Sequence, residues 1–314
     1  MRRNYNFTST WVNEQLNYYI AKMEEQRQSP ETIRRNRNYA GLLLEWIEPK
    51  EKELHKITYN NLLDFVQHCQ TQQILPKQIN MILMVLRHYF TTLKAVNNPA
   101  TGLILKGTHQ RVPHDLLSKK ELDELYEKYL VTDLRTQRNK VILGLLIYQA
   151  VSTNELHKLE PNHVRLQEGK IYIPGGLKGN GRTLNLEAAQ MIELQEYLKH
   201  TRPAIMLEFR AYRPGRKAET ISDQVHHRLF TSISGSVAIK PTIKHLMIAL
   251  RKINPRIKDA VQIRTSAITE WMKEKDLRVV QYMAGHKQVK STERYQSVNL
   301  EELEEALNQY HPLK

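Results

Sequence analysis

One stretch of the chain crowds chemistry-bearing side chains together: AGHKQVKSTERYQ, from Ala284 to Gln296. Gly285 and His286 are followed, nine residues after the histidine, by Tyr295, with Lys287, Lys290, Ser291, Thr292 and Arg294 between them. A phenol set among cations and hydroxyls suits a phosphate. Its oxygen becomes a nucleophile once the proton has somewhere to go, and the cations offset the charge that builds on the phosphoryl oxygens. The same letters also describe a helix closed by glycine, a turn, and a solvated basic helix. On this segment alone both readings stay open, since Tyr295 is one of 15 tyrosines and a histidine after a glycine commonly satisfies a helix end.

The bulk properties favour a polyanionic partner. In 314 residues, Lys and Arg number 47 against 33 Asp and Glu, a formal net charge of +14. An excess of this size attracts phosphate backbones, because each neutralised phosphate releases counterions. A membrane partner is disfavoured: no apolar run approaches the roughly 18 residues needed to span a bilayer, and the opening MRRNYNFTSTW lacks the apolar core of a signal peptide. A single cysteine, Cys69, excludes an internal disulfide or a cysteine-based zinc site and fits a reducing cytoplasm, where the chain would sit on the nucleoid. Double-stranded DNA is the expected partner.

The elements that must position the chemistry fall into two groups. Through about residue 107 the pattern is helical: Trp11, Leu16, Tyr19, Ile20 and Met23 recur at helical spacing, and Ser29-Pro30, Thr58 and Pro76 each mark a helix start. This predicts a compact helical bundle over 1–107. Gly107 precedes and Pro113 punctuates a linker at 108–115, and the capping box Ser118–Glu121 opens a second domain over 116–314. That domain holds the one clear β region: KIYIP and TLNL as short strands with GGLKGNGR as the tip between them. The adjacent His226 and His227 would face apart on a strand, poorly disposed as joint metal ligands. The expected fold class is therefore mainly α with a small β hairpin or sheet, α+β.

IRTSAITEW followed by LRVVQYMAGHKQVKSTERYQ resembles the carboxyl end of tyrosine recombinases, the phage integrase family of DNA breaking and joining enzymes. The family pattern, an arginine opening a helix, then Gly-His, then a tyrosine, falls on Arg264, Gly285, His286 and Tyr295. IPGGLKGNGRTLNL resembles the family hairpin whose lysine reaches the cleaved strand, and Lys178 matches it; YQAVSTNELHKL resembles the segment of the first arginine, with Glu155 and Leu156 in register. The helical first half resembles the family's core-binding domain. The resemblance implies that Tyr295 attacks a phosphodiester to give a 3′-phosphotyrosine link, that Arg264 and His286 steady the phosphate, and that Lys178 protonates the departing 5′ oxygen. It implies a site-specific recombinase or integrase of a mobile element, acting in transposition or DNA integration. No paired carboxylates or ligand cluster accompanies these positions, so neither metal nor cofactor is expected.

Two positions depart from the family pattern. Ser152 stands where the first arginine is expected, and Val261 three residues before Arg264, where a histidine or similar polar residue is expected. Ser152 lies in capping-box register with Glu155, so its first expected task is to start a helix. Lys158, Arg138, Gln262 and Lys258 are the residues whose side chains would have to compensate. These gaps keep a second reading open, a relative that binds or bridges DNA without cutting it; a type IB topoisomerase-like nicking enzyme is a third. For DNA contact the expected residues are Arg27, Arg34, Arg35 and Arg37 in the first domain, and Arg182 and Lys287 in the second. The final acidic helix over 299–310, NLEELEEALNQY, is expected either to pack on its own domain or, as the family likeness implies, to join protomers into a dimer to tetramer on DNA.

Overall fold

The computed structural model describes residues 5–50, 54–93, 97–106, 115–176, 179–212, 225–231 and 238–296 (side chains excepted at 209–212). The chain divides into two units, Met1–Gln110 and Arg111–Lys314, each with its own hydrophobic core.

In the first unit α1 spans Thr10–Glu25, α2 Pro30–Ile47, α3 Tyr59–Thr71 and α4 Pro76–Thr92. The start signals operate as side-chain chemistry dictates. Ser29 accepts from the Thr32 amide at 3.2 Å with Pro30 behind it, and Thr58 exchanges hydrogen bonds with Asn61. Buried positions Val12, Leu16, Tyr19 and Met23 form one stripe on α1, against Leu43, Leu44 and Ile47 of α2 and Leu83, Leu86 and Phe90 of α4. Val12, rather than the expected Trp11, fills the first position of that stripe. Asn36 is the polar exception; its amide faces Tyr19 Oη and Met23 Sδ, while Tyr19 Oη meets His88 Nδ1 at 2.7 Å.

The second unit is built around α6, Leu134–Tyr148, which is buried on every face from Gln137 to Ile147. Its polar members survive there because each is satisfied: Arg138 donates to the Thr231 carbonyl at 2.8 Å and Lys140 to the Tyr126 and Tyr129 carbonyls. Before it lies α5, Lys119–Lys128, opened by the Ser118–Glu121 capping box. After it come α7, Thr153–Lys158, then β1, Val164–Arg165, β2, Lys170–Ile173, and β3, Arg182–Asn185. The strands form an antiparallel sheet in the order β1-β2-β3, with Ile171 opposite Leu184 on the buried face. The two-residue β1 is an addition to the expected hairpin, too short to announce itself by alternation.

α8, Ala188–Glu196, runs through a π-helical segment, Tyr197–Thr201, into α9, Arg202–Tyr212. The wide turn directly precedes Pro203, whose missing N–H would interrupt a regular α-helical ladder. Two further elements correct the sequence reading. His226 and His227 sit in a helical turn rather than on a strand. After α10, Ile239–Ile253, helix α11 spans Ala260–Glu274, so it begins four residues before Arg264 because Asp259 caps it by accepting from the Gln262 amide at 2.9 Å. α12, Leu277–Ala284, and α13, residues 290–296, complete the described chain.

Gly41, in the middle of α2, shows how tightly the first unit is packed: a Cβ there would collide with the Phe7 ring. Gly41→Ala would ordinarily strengthen a helix by about 1 kcal/mol. Here it is expected to destabilise the first unit by roughly 1–3 kcal/mol through overpacking. Urea denaturation followed by tryptophan fluorescence reads this directly, since two of the three tryptophans, Trp11 and Trp46, belong to that unit.

Candidate active site

The site is assembled around one carboxylate. Ser152 caps α7: its Oγ accepts from the Glu155 amide at 3.3 Å, and Glu155 Oε2 accepts from the Ser152 amide at 2.7 Å. That box turns the Glu155 side chain inward, where Arg182 of β3 meets it with Nη1 at 2.5 Å from Oε1 and Nη2 at 3.4 Å from Oε2. Arg264 of α11 reaches the same carboxylate, Nη1 to Oε2 at 3.3 Å, and donates from Nη1 to the Ala150 carbonyl and from Nη2 to the Ala284 carbonyl at 2.7 Å. Ala150 holds a left-handed backbone, φ 44°, as it turns that carbonyl toward the guanidinium. Burial opposes ionisation of Glu155, yet the hydrogen bond and charge of Arg182, with Arg264 behind them, hold its carboxyl below the usual range. Two guanidiniums on one carboxylate leave a surplus positive charge in a nearly closed site.

α12 ends in a turn that brings the remaining groups to this charge. Gly285, at φ 69°, donates to the Tyr282 carbonyl at 2.9 Å, and the His286 amide donates to the Gln281 carbonyl at 3.0 Å. The helix-end reading of the Gly-His pair holds for the backbone: His286 closes the helix through its amide, and its ring is left out of that cap. The ring's Nδ1 lies 2.9 Å from Thr292 Oγ1, and its face stacks on the Tyr295 ring, centroids 5.9 Å apart and planes 12° apart. Gly179 forms a β-bridge with His286, and the Asn180 amide donates to the Gly285 carbonyl at 2.9 Å. Tyr282 adds a second brace, its hydroxyl donating to the Thr183 carbonyl at 3.3 Å and accepting from the Thr183 amide at 3.1 Å. Burial, with Arg264, Arg182 and Arg294 adding to it, pushes the His286 imidazolium down to about 4, so the ring is neutral at physiological pH.

Of the residues singled out from sequence, Arg264, His286 and Tyr295 come together here. Lys178 and the helix expected over 299–310 lie outside the described residues, although Gly176 and Gly179 on either side of Lys178 are hydrogen-bonded to each other, 2.8 Å from amide to carbonyl. Arg182 requires correction as an expected DNA contact: its side chain is 0% exposed and paired with Glu155. Arg138, Gln262 and Lys258 do not fill the gap left by Ser152 and Val261, whereas Lys158 is exposed with its Nζ beside Gly176 of the hairpin. Arg138 is spent inside the core; Gln262 is buried, bonded to the Asp115 and Arg256 carbonyls; Lys258 pairs with Asp115 at 2.8 Å. Val261 itself is 61% exposed in the first turn of α11, one turn before Arg264. Of the first-unit arginines, Arg27 and Arg34 are exposed, Arg35 is tied to Asn36, and Arg37 donates to the Tyr5 carbonyl and lies over the Phe7 ring; Lys287 is exposed. The carbonyls of Ala150 and Ala284 were not legible as site groups, because every residue carries one.

Comparison with known proteins places the fold in a family. A model of the phage integrase family matches residues 115–302. Tyrosine recombinase XerD of Vibrio vulnificus is 25% identical over 292 residues, covering 90% of this chain and 89% of that protein. Tyrosine recombinase XerC of Anoxybacillus flavithermus is 26% identical over 317 residues, covering 96% and 98%. Among solved structures, XerH site-specific recombinase bound to a palindromic difH substrate superposes with a TM-score of 0.70 at 17% identity, over 97% of this chain and 90% of that one. The Tn1549 transposon integrase in complex with a circular intermediate DNA gives 0.63 at 14%, over 90% and 94%. The fold is that of a tyrosine recombinase, mainly helical with a small sheet. The chain belongs to the phage integrase family.

Two outcomes follow from this geometry. Gly285→Ala forces a side chain into left-handed backbone and against the Arg182 guanidinium, so it is expected to cost roughly 1–3 kcal/mol in chemical denaturation. His286 sets a pH dependence. Between its ordinary value of 6.5 and about 4, the unfolded chain binds a proton that the folded chain refuses, so stability is full above that window and falls as pH drops through it. From about pH 7 to about pH 5 the melting temperature of the parent should therefore drop further than that of His286→Gln.

Proposed function

We propose that this chain cuts and rejoins duplex DNA at a specific site, in integration or excision of a mobile element, through a covalent link on Tyr295. The observation that carries the reading is the convergence of Tyr295, His286 and Arg264 on one point beside a surplus positive charge. In the cleavage step the Tyr295 oxygen bonds to phosphorus and the bond to the 5′ oxygen breaks. The phenolic proton leaves to a base or to solvent, and Lys178 supplies the proton that the 5′ oxygen gains. Rejoining reverses this with another strand, so the phosphodiester energy is kept and no nucleotide is consumed. Arg264 faces the developing phosphoryl charge with a fork held by two backbone carbonyls. Neutral His286, its Nδ1 engaged by Thr292, has Nε2 for a phosphoryl oxygen or for proton exchange with the stacked phenol.

Arg27, Arg34, Arg35, Arg37 and Lys287 are assigned to phosphate contacts that set register more than sequence, and the segment 299–310 to self-association on DNA. The names of the relatives support recombination, and the transposon integrase among the structural neighbours supports the mobile-element role. A second reading, DNA binding without cleavage, is favoured by one observation: Ser152 is committed to its helix cap and Val261 offers no donor, so two expected phosphate ligands are missing.

Incubation with nicked suicide duplexes, carrying a site selected by binding from random sequence, separates the two. A denaturation-resistant protein–DNA adduct is expected, abolished in Tyr295→Phe while DNA binding persists. Binding without any adduct supports the second reading.

A further inference from the structure

Ser152 leaves the site one guanidinium short of the pattern, and the Glu155 carboxylate that it caps carries two others. Arg182 is the cation that shares Glu155 with Arg264. Its side chain is 0% exposed, so it cannot touch a phosphate on the surface. Three constraints hold it. The carboxylate receives both of its Nη atoms, the strand β3 anchors its backbone opposite Ile173, and the backbone of Gly285 lies over its guanidinium so closely that a Cβ there would meet Cζ at 3.0 Å and Nη1 closer still. Arg182 therefore touches the carboxylate that orients Arg264 and the turn that presents His286.

We propose that Arg182 is a positioning residue for strand cleavage: it sets a second positive charge on Glu155 from inside the fold, and holds that carboxylate and the Gly285–His286 turn so that Arg264 and His286 face the same phosphate. The physical logic is charge balance. Arg264 alone against Glu155 would be a neutral pair, with its field spent on the carboxylate. With Arg182 answering the same carboxylate, Arg264 keeps net positive field for the phosphate. This rests on the strand-cleavage reading above.

The test uses the full chain with Arg182→Lys, which keeps the charge and loses the two-pronged fork, and Arg182→Gln, which loses both. Adduct formation on the suicide duplex at saturating DNA is expected to fall by about 100-fold in the glutamine variant. DNA affinity should stay near the parental value, with the lysine variant between the two. A glutamine variant that cleaves at the parental rate overturns the proposal, as does a lysine variant equal to either the parent or the glutamine variant. Thermal melts identify a variant that does not fold; Arg182→Met then replaces glutamine, and the comparison of lysine with parent decides by itself if neither neutral variant folds. If the parent forms no adduct, the cleavage reading fails, and nuclear magnetic resonance titration of the His286 ring decides on Arg182 independently. The ring is faced by Arg264, Arg182, Arg294 and Glu155. Its midpoint should rise when Arg182 becomes neutral and stay low in the lysine variant; equal midpoints in parent, lysine and glutamine forms overturn the assignment.

Discussion

The arrangement depends on the carboxylate of Glu155 standing between two guanidiniums. Without it, Arg182 and Arg264 would be two like charges in a site that excludes most water, where each lacks the hydration that ordinarily stabilises it. With it, three elements distant in sequence are tied at one point: the cap of α7, the strand β3 and the helix α11. The capping box of Ser152 is what aims that carboxylate, because Glu155 Oε2 is held on the Ser152 amide while Oε1 is given to Arg182. A helix start and an ion-pair network are here the same set of atoms.

Around this point the turn after α12 performs several tasks that only glycine reconciles at position 285. It closes the helix in left-handed backbone, it leaves room for the Arg182 guanidinium, and its carbonyl accepts from Asn180 across from the sheet. The hairpin end, α12 and α13 are thereby coupled through a few backbone hydrogen bonds, with Tyr282 and Thr292 as side-chain struts. The apolar scaffold beneath is α6, whose burial on every face lets the site elements pack on a fixed support.

Electrostatics gives the site its poise. Burial and nearby arginines keep His286 neutral, and the surplus charge beside it is of the sign that an anionic phosphoryl group would neutralise. An anion entering here would relieve the repulsion among the cations and raise the proton affinity of the ring.

Much of this was legible from residue order. The helical first half, the Ser118 and Ser152 capping boxes and the β hairpin follow from local patterns of hydrophobic period and cap chemistry, while the grouping of Arg264, His286 and Tyr295 was an expectation from the family resemblance. What residue order could not decide was which side chains share space across the fold. Arg182 read as a hairpin arginine at the surface and is instead interior, because its strand position faces the core and a carboxylate waits there. Helix α11 begins at Ala260 rather than Arg264 because Asp259 is free to cap it, and Gln262 turns inward to carbonyls far away in sequence. Local sequence determines caps, periods and turns, since those involve neighbours a few bonds apart. The burial of a charge, and the partner that makes that burial tolerable, is settled only when distant segments close around it.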